Sequence, residues 1–208
     1  MLNGLFSRHT RLTGAAIALL GAAALSGAPA HAALIDTDAC DNATLTQPFA
    51  RWGDPNLYKL VPGGSFEGGP AGWTLTGGAA IVPGSEPYGA TGSVGRFSLG
   101  LPAGASATSP FTCVDAAYPS FRFFARDDLL LSTVAVSVVY RSPLGGELTL
   151  PVGVVALSGA WEPSLPMLTG SVATALLSGG VSEVALRFTA LTGDSQIDDV
   201  FVDPRCRW

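Results

Sequence analysis

Hydrophobic and polar residues alternate along most of the chain from Tyr58 onward, which is the pattern of β-strands with one buried face. In the segment 133–141, for example, Val134, Val136 and Val138 are predicted to face one way and the residues between them the other. Gly and Pro turn sequences separate these segments. The clearest predicted strands are Trp73–Thr76, Ala79–Val82, Gly95–Leu99, Phe121–Arg126, Thr133–Arg141, Glu147–Val154, Glu183–Thr189 and Gln196–Val202.

Strands that follow one another at even spacing, with no helical pattern between them, predict an all-β protein. The expected architecture is a two-sheet antiparallel sandwich, with the jelly roll as the favoured form. No internal repeat recurs at a fixed period. The segment Gly170–Gly179 departs from the pattern because its apolar residues recur at near-helical spacing, so a short helix or a crossover loop is predicted there.

The first 32 residues have the features of an export signal. Residues 1–12 carry two arginines and no acid, residues 13–28 form an apolar run, and Ala30-His31-Ala32 supplies the small residues of a cleavage site. A membrane-spanning helix is the alternative, but the run is shorter than the ~20 residues that a span needs. We therefore predict a removed signal peptide over 1–32, a secreted mature protein, and no membrane insertion after processing.

The remaining chain is predicted to form an irregular arm at 33–57, a sandwich at 58–204 and a short tail at 205–208. Each part carries one cysteine: Cys40, Cys113 and Cys206. In an oxidising compartment three cysteines leave one disulfide and one free thiol, or an intermolecular bridge. We expect a Cys40–Cys113 disulfide that ties the arm to a strand, and Cys206 then leaves open a disulfide-linked dimer.

Composition excludes several functional classes. Removal of the signal leaves nine basic and sixteen acidic residues, so the mature net charge is −7 and nucleic acid is not an expected partner. Both histidines, His9 and His31, lie in the signal, which excludes catalytic sites and metal sites built on histidine. The sole lysine, Lys59, lacks a Ser-x-x-Lys spacing. We therefore expect no enzyme activity, with a carboxylate-based hydrolase as the remaining catalytic alternative.

Two stretches resemble a known family. The opening LVPGGSFEGGPAGWTLTGGA (60–79) resembles the N-terminal signature of CenC-like jelly-roll carbohydrate-binding modules, and the close VALRFTALTGDSQIDDVFVDP (184–204) resembles their last two strands. The SGAW segment lies between them, so the resemblance frames 58–204. It extends to uncharacterised exported bacterial proteins of the same galactose-binding-like sandwich. This chain departs from the opening signature at Ser65, where the family usually has an Asn or Asp type of residue.

The resemblance implies a structural calcium ion. Carried over by motif, its ligands are Glu67 and Asp198, with backbone carbonyl oxygens completing the six to eight oxygen ligands that calcium takes. Because neighbouring residues of a strand point to opposite faces, only one of Asp198 and Asp199 is expected to serve this site. The alternative is that Glu67 caps a turn and Asp198 accepts backbone hydrogen bonds.

Aromatic and arginine residues are the candidates for ligand contact. Trp73 and Trp161 are expected to pack in the core. Two tyrosines beside turns are expected to be exposed, and four residues on neighbouring predicted strands are expected to line one sheet face, with a merely solvated face as the alternative. These six ligand-binding candidates are Tyr88, Tyr118, Arg122, Arg126, Tyr140 and Arg141.

These observations predict a secreted, non-catalytic β-sandwich that binds extracellular polysaccharide or envelope glycan through a sheet face or its edge loops. A structural or adhesive surface protein without a sugar site is the alternative, because one fold supports many functions.

Overall fold

The computed structural model describes residues 44–115, 120–127, 131–141, 145–169 and 181–203, apart from the side chains of residues 115, 181 and 182. One turn of 3-10 helix, Ala50–Trp52, precedes the strands. The strands are β1 Lys59–Leu60, β2 Thr74–Thr76, β3 Ala80–Pro83, β4 Phe97–Leu101, β5 Ser106–Thr108, β6 Thr112–Asp115, β7 Ser120–Asp127, β8 Thr133–Arg141, β9 Glu147–Ala156, β10 Glu162–Pro163, β11 Met167–Leu168, β12 Val181–Thr192 and β13 Ser195–Asp203.

The strands form two antiparallel sheets. The first sheet has the order β10-β7-β13-β4-β3, with β1 also paired to β13 and β11 to β7. The second has the order β2-β5-β12-β8-β9, with β6 also paired to β12. The predicted two-sheet antiparallel jelly-roll sandwich is thereby confirmed. Among the described residues, no helix has the length and apolar character needed to cross a membrane.

All eight predicted strands are present, with ends that differ from the prediction by at most three residues. The five strands that sequence reasoning missed, β1, β5, β6, β10 and β11, are two to four residues long, too short to show an alternating pattern. The predicted signal, the tail and the segment Gly170–Gly179 lie outside the described residues. Cys113 is buried on β6, but Cys40 and Cys206 also lie outside them, so the Cys40–Cys113 pairing stays a prediction.

The main core lies between the two sheets. Val134, Val136 and Val138 of β8 are buried in it, as their alternation predicts. Trp73 joins the same core, with its ring centroid 4.9 Å from that of Phe66, so the expectation of core packing is confirmed for this tryptophan.

A second apolar cluster lies on the outer face of the first sheet. Its buried members are Phe49, Tyr58, Phe124, Trp161 and Phe201. The ring of Phe49 is 5.4 Å from that of Phe124 on β7 and 5.6 Å from that of Phe201 on β13. Residues of the predicted arm therefore form a third layer over half of this face, and Trp161 is buried here rather than between the sheets.

A β-bulge in β13 decides which of its side chains reach each face. Both Ile197 and Val200 point into the main core, although strict alternation would put them on opposite faces. The pairing with β7 shifts register between Asp198 and Phe201, and Asp199 has a left-handed φ of 45°. One extra residue is thus inserted, which turns Phe201 outward to meet Phe49.

Replacing Phe49 by Ala is expected to lower the free energy of unfolding by about 3–5 kcal/mol, because the ring is fully buried between aromatic neighbours. Chemical denaturation monitored by tryptophan fluorescence measures the change. The control is Leu45→Ala, in the same arm but 42% exposed, which should change stability by less than about 0.5 kcal/mol. A change of less than about 0.5 kcal/mol for Phe49→Ala as well would show that the arm does not stabilise the sandwich.

Candidate functional site

Four carboxylates lie together where the loop 84–96 meets the bulge of β13. Asp198 is fully buried, and its Oδ2 accepts hydrogen bonds from the Ser85 hydroxyl at 2.7 Å and from the Glu86 N–H at 2.9 Å. Its Oδ1 accepts from the N–H of Asp199 at 2.8 Å. Glu86 is also fully buried, and its two oxygens accept from the N–H groups of Tyr88 and Ala90. The loop is therefore folded around buried carboxyl groups that accept hydrogen bonds from its backbone.

Glu67 reaches the same region from the opening motif. Its Oε1 accepts hydrogen bonds from the N–H groups of Arg96 at 2.6 Å and Phe97 at 2.8 Å. A Cβ atom on Gly95 would lie 2.5 Å from this Oε1 and 2.8 Å from the Ser85 hydroxyl, so only glycine fits between them. Ser85 also donates to Asp198, so the two predicted calcium ligands, Glu67 and Asp198, lie in the same region around Gly95 and Ser85.

Burial raises the pKa values of the two aspartates of this cluster, Asp198 and Asp199. Burial raises the pKa of Asp198 to about 7, although hydrogen bonds from Glu86 and Ser85 oppose the shift. Burial and then the negative charges of Asp198 and Glu86 raise the pKa of Asp199 to about 8. The expectation that Asp198 and Asp199 diverge to opposite sides was wrong, because the bulge lets both carboxyl groups approach Glu86.

The chemistry of these donors fits calcium, which takes oxygen ligands only. Among the described residues, Arg96 is the cation that pairs with the cluster. Its Nε lies 3.9 Å from Oε2 of Glu67, and its side chain is 80% exposed. Within those same ranges no three acidic, histidine or cysteine side chains converge closely enough to hold a metal ion. Any ion here would therefore need backbone oxygens as well as Glu67 and Asp198.

A polar row crosses the outer face of the first sheet beyond the second apolar cluster. The strand registers place Arg126 of β7 opposite Gln196 of β13, Gln196 opposite Gly100 of β4, and Gly100 opposite Ala80 of β3. The small residues at one end of the row leave a depression of about 170 Å³, which we call the outer-face trough. It is lined by Gly78, Ala80, Val82, Gly100, Leu101, Pro102, Asp194, Ser195 and Gln196.

The polar groups of the trough are held in place by hydrogen bonds. Gln196 Oε1 accepts from Arg126 Nε at 3.0 Å and from the Ser98 hydroxyl at 3.4 Å. Gly100 lets the Val82 side chain pack directly against β4, since a Cβ on it would lie 2.8 Å from Cγ1 of Val82. The Gln196 amide is thus oriented by two donors on its oxygen, which is the kind of preorganised group that recognises a polar ligand.

Aromatic side chains lie beside this row, and we call Trp52, Tyr88 and Trp161 the aromatic rim. The Arg126 guanidinium lies over the Trp161 ring at 5.5 Å from its centroid. The Tyr88 hydroxyl donates to the Trp161 carbonyl at 2.8 Å, and the rings of Tyr88 and Trp52 are 5.0 Å apart. The structure therefore brings together two of the predicted ligand residues, Tyr88 and Arg126.

The prediction that Arg122, Arg126, Tyr140 and Arg141 line one sheet face was wrong, because β7 belongs to the first sheet and β8 to the second. Arg122 is buried and forms a 2.9 Å ion pair with Asp54, so it stabilises the arm and is not accessible to a ligand.

Tyr140 is buried, and its hydroxyl donates to the carbonyl of Thr169. Arg141 is exposed, pairs with Glu183 at 3.0 Å and lies over the ring of Phe111. Because side chains alternate between the two faces along β8, the neighbours Tyr140 and Arg141 point to opposite faces of the second sheet. Tyr118 lies outside the described residues.

A larger cavity of about 480 Å³ opens between the edges of the two sheets. It is lined mostly by apolar side chains, with a few polar groups at its rim: Ala125, Val154, Val155, Ala156, Leu157, Ser158, Glu162, Pro163, Ser164, Leu165 and Met167. The buried hydroxyl of Ser164 is already bonded to the N–H of Phe123. This cavity therefore offers fewer oriented polar groups than the outer-face trough does.

No family model matches this chain, and no curated protein sequence does. One similar solved structure is the CBM22-1–GH10 part of Clostridium thermocellum xylanase 10B with xylohexaose, at 17% identity and a TM-score of 0.48 over 66% of this chain and 27% of that one. TmCBM61 with β-1,4-galactotriose has 17% identity and a TM-score of 0.39, over 69% of this chain and 96% of that one.

An adhesin domain of Lys-gingipain from Porphyromonas gingivalis has 15% identity and a TM-score of 0.45, over 66% of this chain and 94% of that one. At these values we draw nothing about function from the likeness. The similarity of the opening and closing motifs to CenC-like modules remains a resemblance.

The free energy of unfolding in the presence of a chelator is expected to fall as the pH rises from about 5 to about 8. In this range Asp198 and Asp199 retain protons in the folded state because their pKa values are raised. The unfolded chain has already lost them, since its Asp pKa is about 3.9. The unfolded chain therefore binds fewer protons than the folded protein over this range, so the free energy of unfolding declines as the pH rises.

Denaturant titrations at several pH values measure this decline. Asp199→Asn should flatten it, because the substitution removes one of the two carboxyl groups with a raised pKa. A profile that stays level or rises over this range in the unmodified protein would contradict the raised pKa values.

Proposed function

We propose that this protein is a secreted, non-catalytic module that binds an extracellular polysaccharide at the outer-face trough. The row Arg126–Gln196–Gly100–Ala80 carries the proposal, because it places oriented polar groups beside a shallow depression at its end with the small residues. Sugar hydroxyl groups pair with amide and guanidinium groups, and the depression of about 170 Å³ beside Gln196 offers room for part of a sugar ring. Secretion rests on the predicted signal peptide.

The arrangement of carboxylates supports binding rather than hydrolysis. A glycosidase needs two carboxyl groups about 5–9.5 Å apart across its cleft. Of the described residues that line the trough, Asp194 alone carries a carboxylate. The clustered acids Glu86, Asp198 and Asp199 are buried and accept hydrogen bonds from the backbone or lie against each other. We therefore assign them to the structure of the loop.

Binding is tested by affinity electrophoresis and calorimetry against a panel of soluble polysaccharides. Gln196→Ala should weaken binding about three- to tenfold, the worth of one or two neutral hydrogen bonds. The control is Thr189→Ala, on the outer face of the second sheet, which should bind as the unmodified protein does. Equal loss in both variants would remove the trough as the site. Failure to bind any polysaccharide would reject the function and favour the structural or adhesive alternative.

We also propose that Glu67 and Asp198, with backbone oxygens, hold a calcium ion that stabilises the loop 84–96. The support is the group of carboxyl oxygens around this loop, whose charged forms a bound cation would favour, whereas the exposed Arg96 is a weak partner of Glu67. Because this loop carries Tyr88, the ion would hold part of the aromatic rim in place without contacting the ligand.

Calcium at about 100 times its dissociation constant is expected to raise the free energy of unfolding by about 2.7 kcal/mol. Thermal melts with calcium and with a chelator measure the effect at constant pH. Asp198→Asn should abolish the calcium-dependent shift, whereas Asp194→Asn should retain it. A melting temperature that is the same with calcium and with chelator would refute the site.

A further inference from the structure

Arg51 is a second cation on the same side of the molecule as Arg126, and it is held on the aromatic rim. Its guanidinium carbon lies 4.9 Å from the ring centroid of Trp52 and 4.9 Å from that of Tyr88. Cation–π attraction to the faces of two aromatic rings holds the guanidinium in position. The side chain itself remains exposed.

The rings that hold Arg51 are themselves anchored. Trp52 packs edge-on against Phe124 at 5.3 Å between centroids. Tyr88 is tied by its hydroxyl to the carbonyl of Trp161 and by its N–H to the buried Glu86. A guanidinium on such a rigid support loses little conformational entropy when it binds a ligand.

The carboxylates nearest to Arg51 along the chain and across the rim are already engaged. Asp54 is buried, and its Oδ2 accepts from Arg122 and from the Tyr58 hydroxyl. Glu86 is buried, with both oxygens on backbone N–H groups. In the ranges that the structure describes, Arg51 forms no ion pair or side-chain hydrogen bond with any of them. Its donors therefore face solvent on an otherwise acidic protein of net charge −5.

We infer that the polysaccharide is acidic, with a sugar carboxylate that binds the Arg51 guanidinium while the neighbouring sugar rings extend past Arg126 toward the outer-face trough. This inference rests on the proposed function and specifies its ligand class. A planar guanidinium binds a carboxylate through two parallel N–H···O bonds, a geometry that an uncharged sugar does not offer. The overall negative charge of the protein makes non-specific attraction of a polyanion unfavourable, so binding must depend on this local cation.

The test compares acidic polysaccharides (polygalacturonate, alginate, hyaluronate) with neutral ones (xylan, galactan, mannan) by calorimetry on the full mature chain. An acidic polysaccharide should bind best, and Arg51→Gln should weaken that binding about tenfold, as expected for a lost charge-assisted hydrogen bond. The matched control is Arg187→Gln on the outer face of the second sheet, which removes the same charge and should change the affinity by less than about twofold.

Salt provides a second readout that a purely structural role of Arg51 would not change. Raising the salt from about 0.05 to about 0.5 M should reduce the ratio of the affinity of the unmodified protein to that of Arg51→Gln, because salt screens the attraction that only the unmodified protein has. Preferential binding of a neutral polysaccharide, or an equal effect of the two arginine changes, would overturn the acidic ligand while leaving the proposed function intact. Absence of binding to all six polysaccharides would overturn both.

Discussion

The β-bulge in β13 is the constraint on which the outer face of the first sheet depends. With one residue added at Asp199, β13 directs Val200 and Val202 into the main core and Phe201 to the outside. On the outer face, Phe201 then forms an apolar surface with Phe124 of the neighbouring strand. Phe49 of the arm packs on this surface and removes it from water, so the third layer is a consequence of the single inserted residue.

The same strand links this cover to the polar site. Before the bulge, β13 presents Gln196 to the outer face; within the bulge it presents Asp198 and Asp199 to the loop 84–96. Buried carboxylates are costly unless hydrogen bonds or a cation compensate them, so the loop has to supply backbone N–H groups at fixed positions. The fixed loop places Tyr88 against Trp52 and Trp161. The part of the sheet beyond Trp161 is not covered, and the trough lies there.

Local sequence patterns predicted the long strands well because each has one face toward the core, which enforces alternation over many residues. Val134, Val136 and Val138 show this directly. The same reasoning failed for Tyr140 and Arg141, which were grouped with Arg122 and Arg126 because their strands follow each other along the chain. Consecutive strands of a jelly roll often belong to different sheets, and the alternation of one strand contains no information about its partner.

By itself, the sequence determined the all-β class and the positions of the longer strands, since these depend on residue type and local periodicity. The family motifs also indicated that Glu67 and Asp198 lie close together. Only the tertiary structure decided that Gly100 and Ala80 would line a trough beside Gln196, and that Arg51 would lie on Trp52 and Tyr88. Those contacts depend on strand register and on the bulge, which are set by long-range packing rather than by any short segment of the chain.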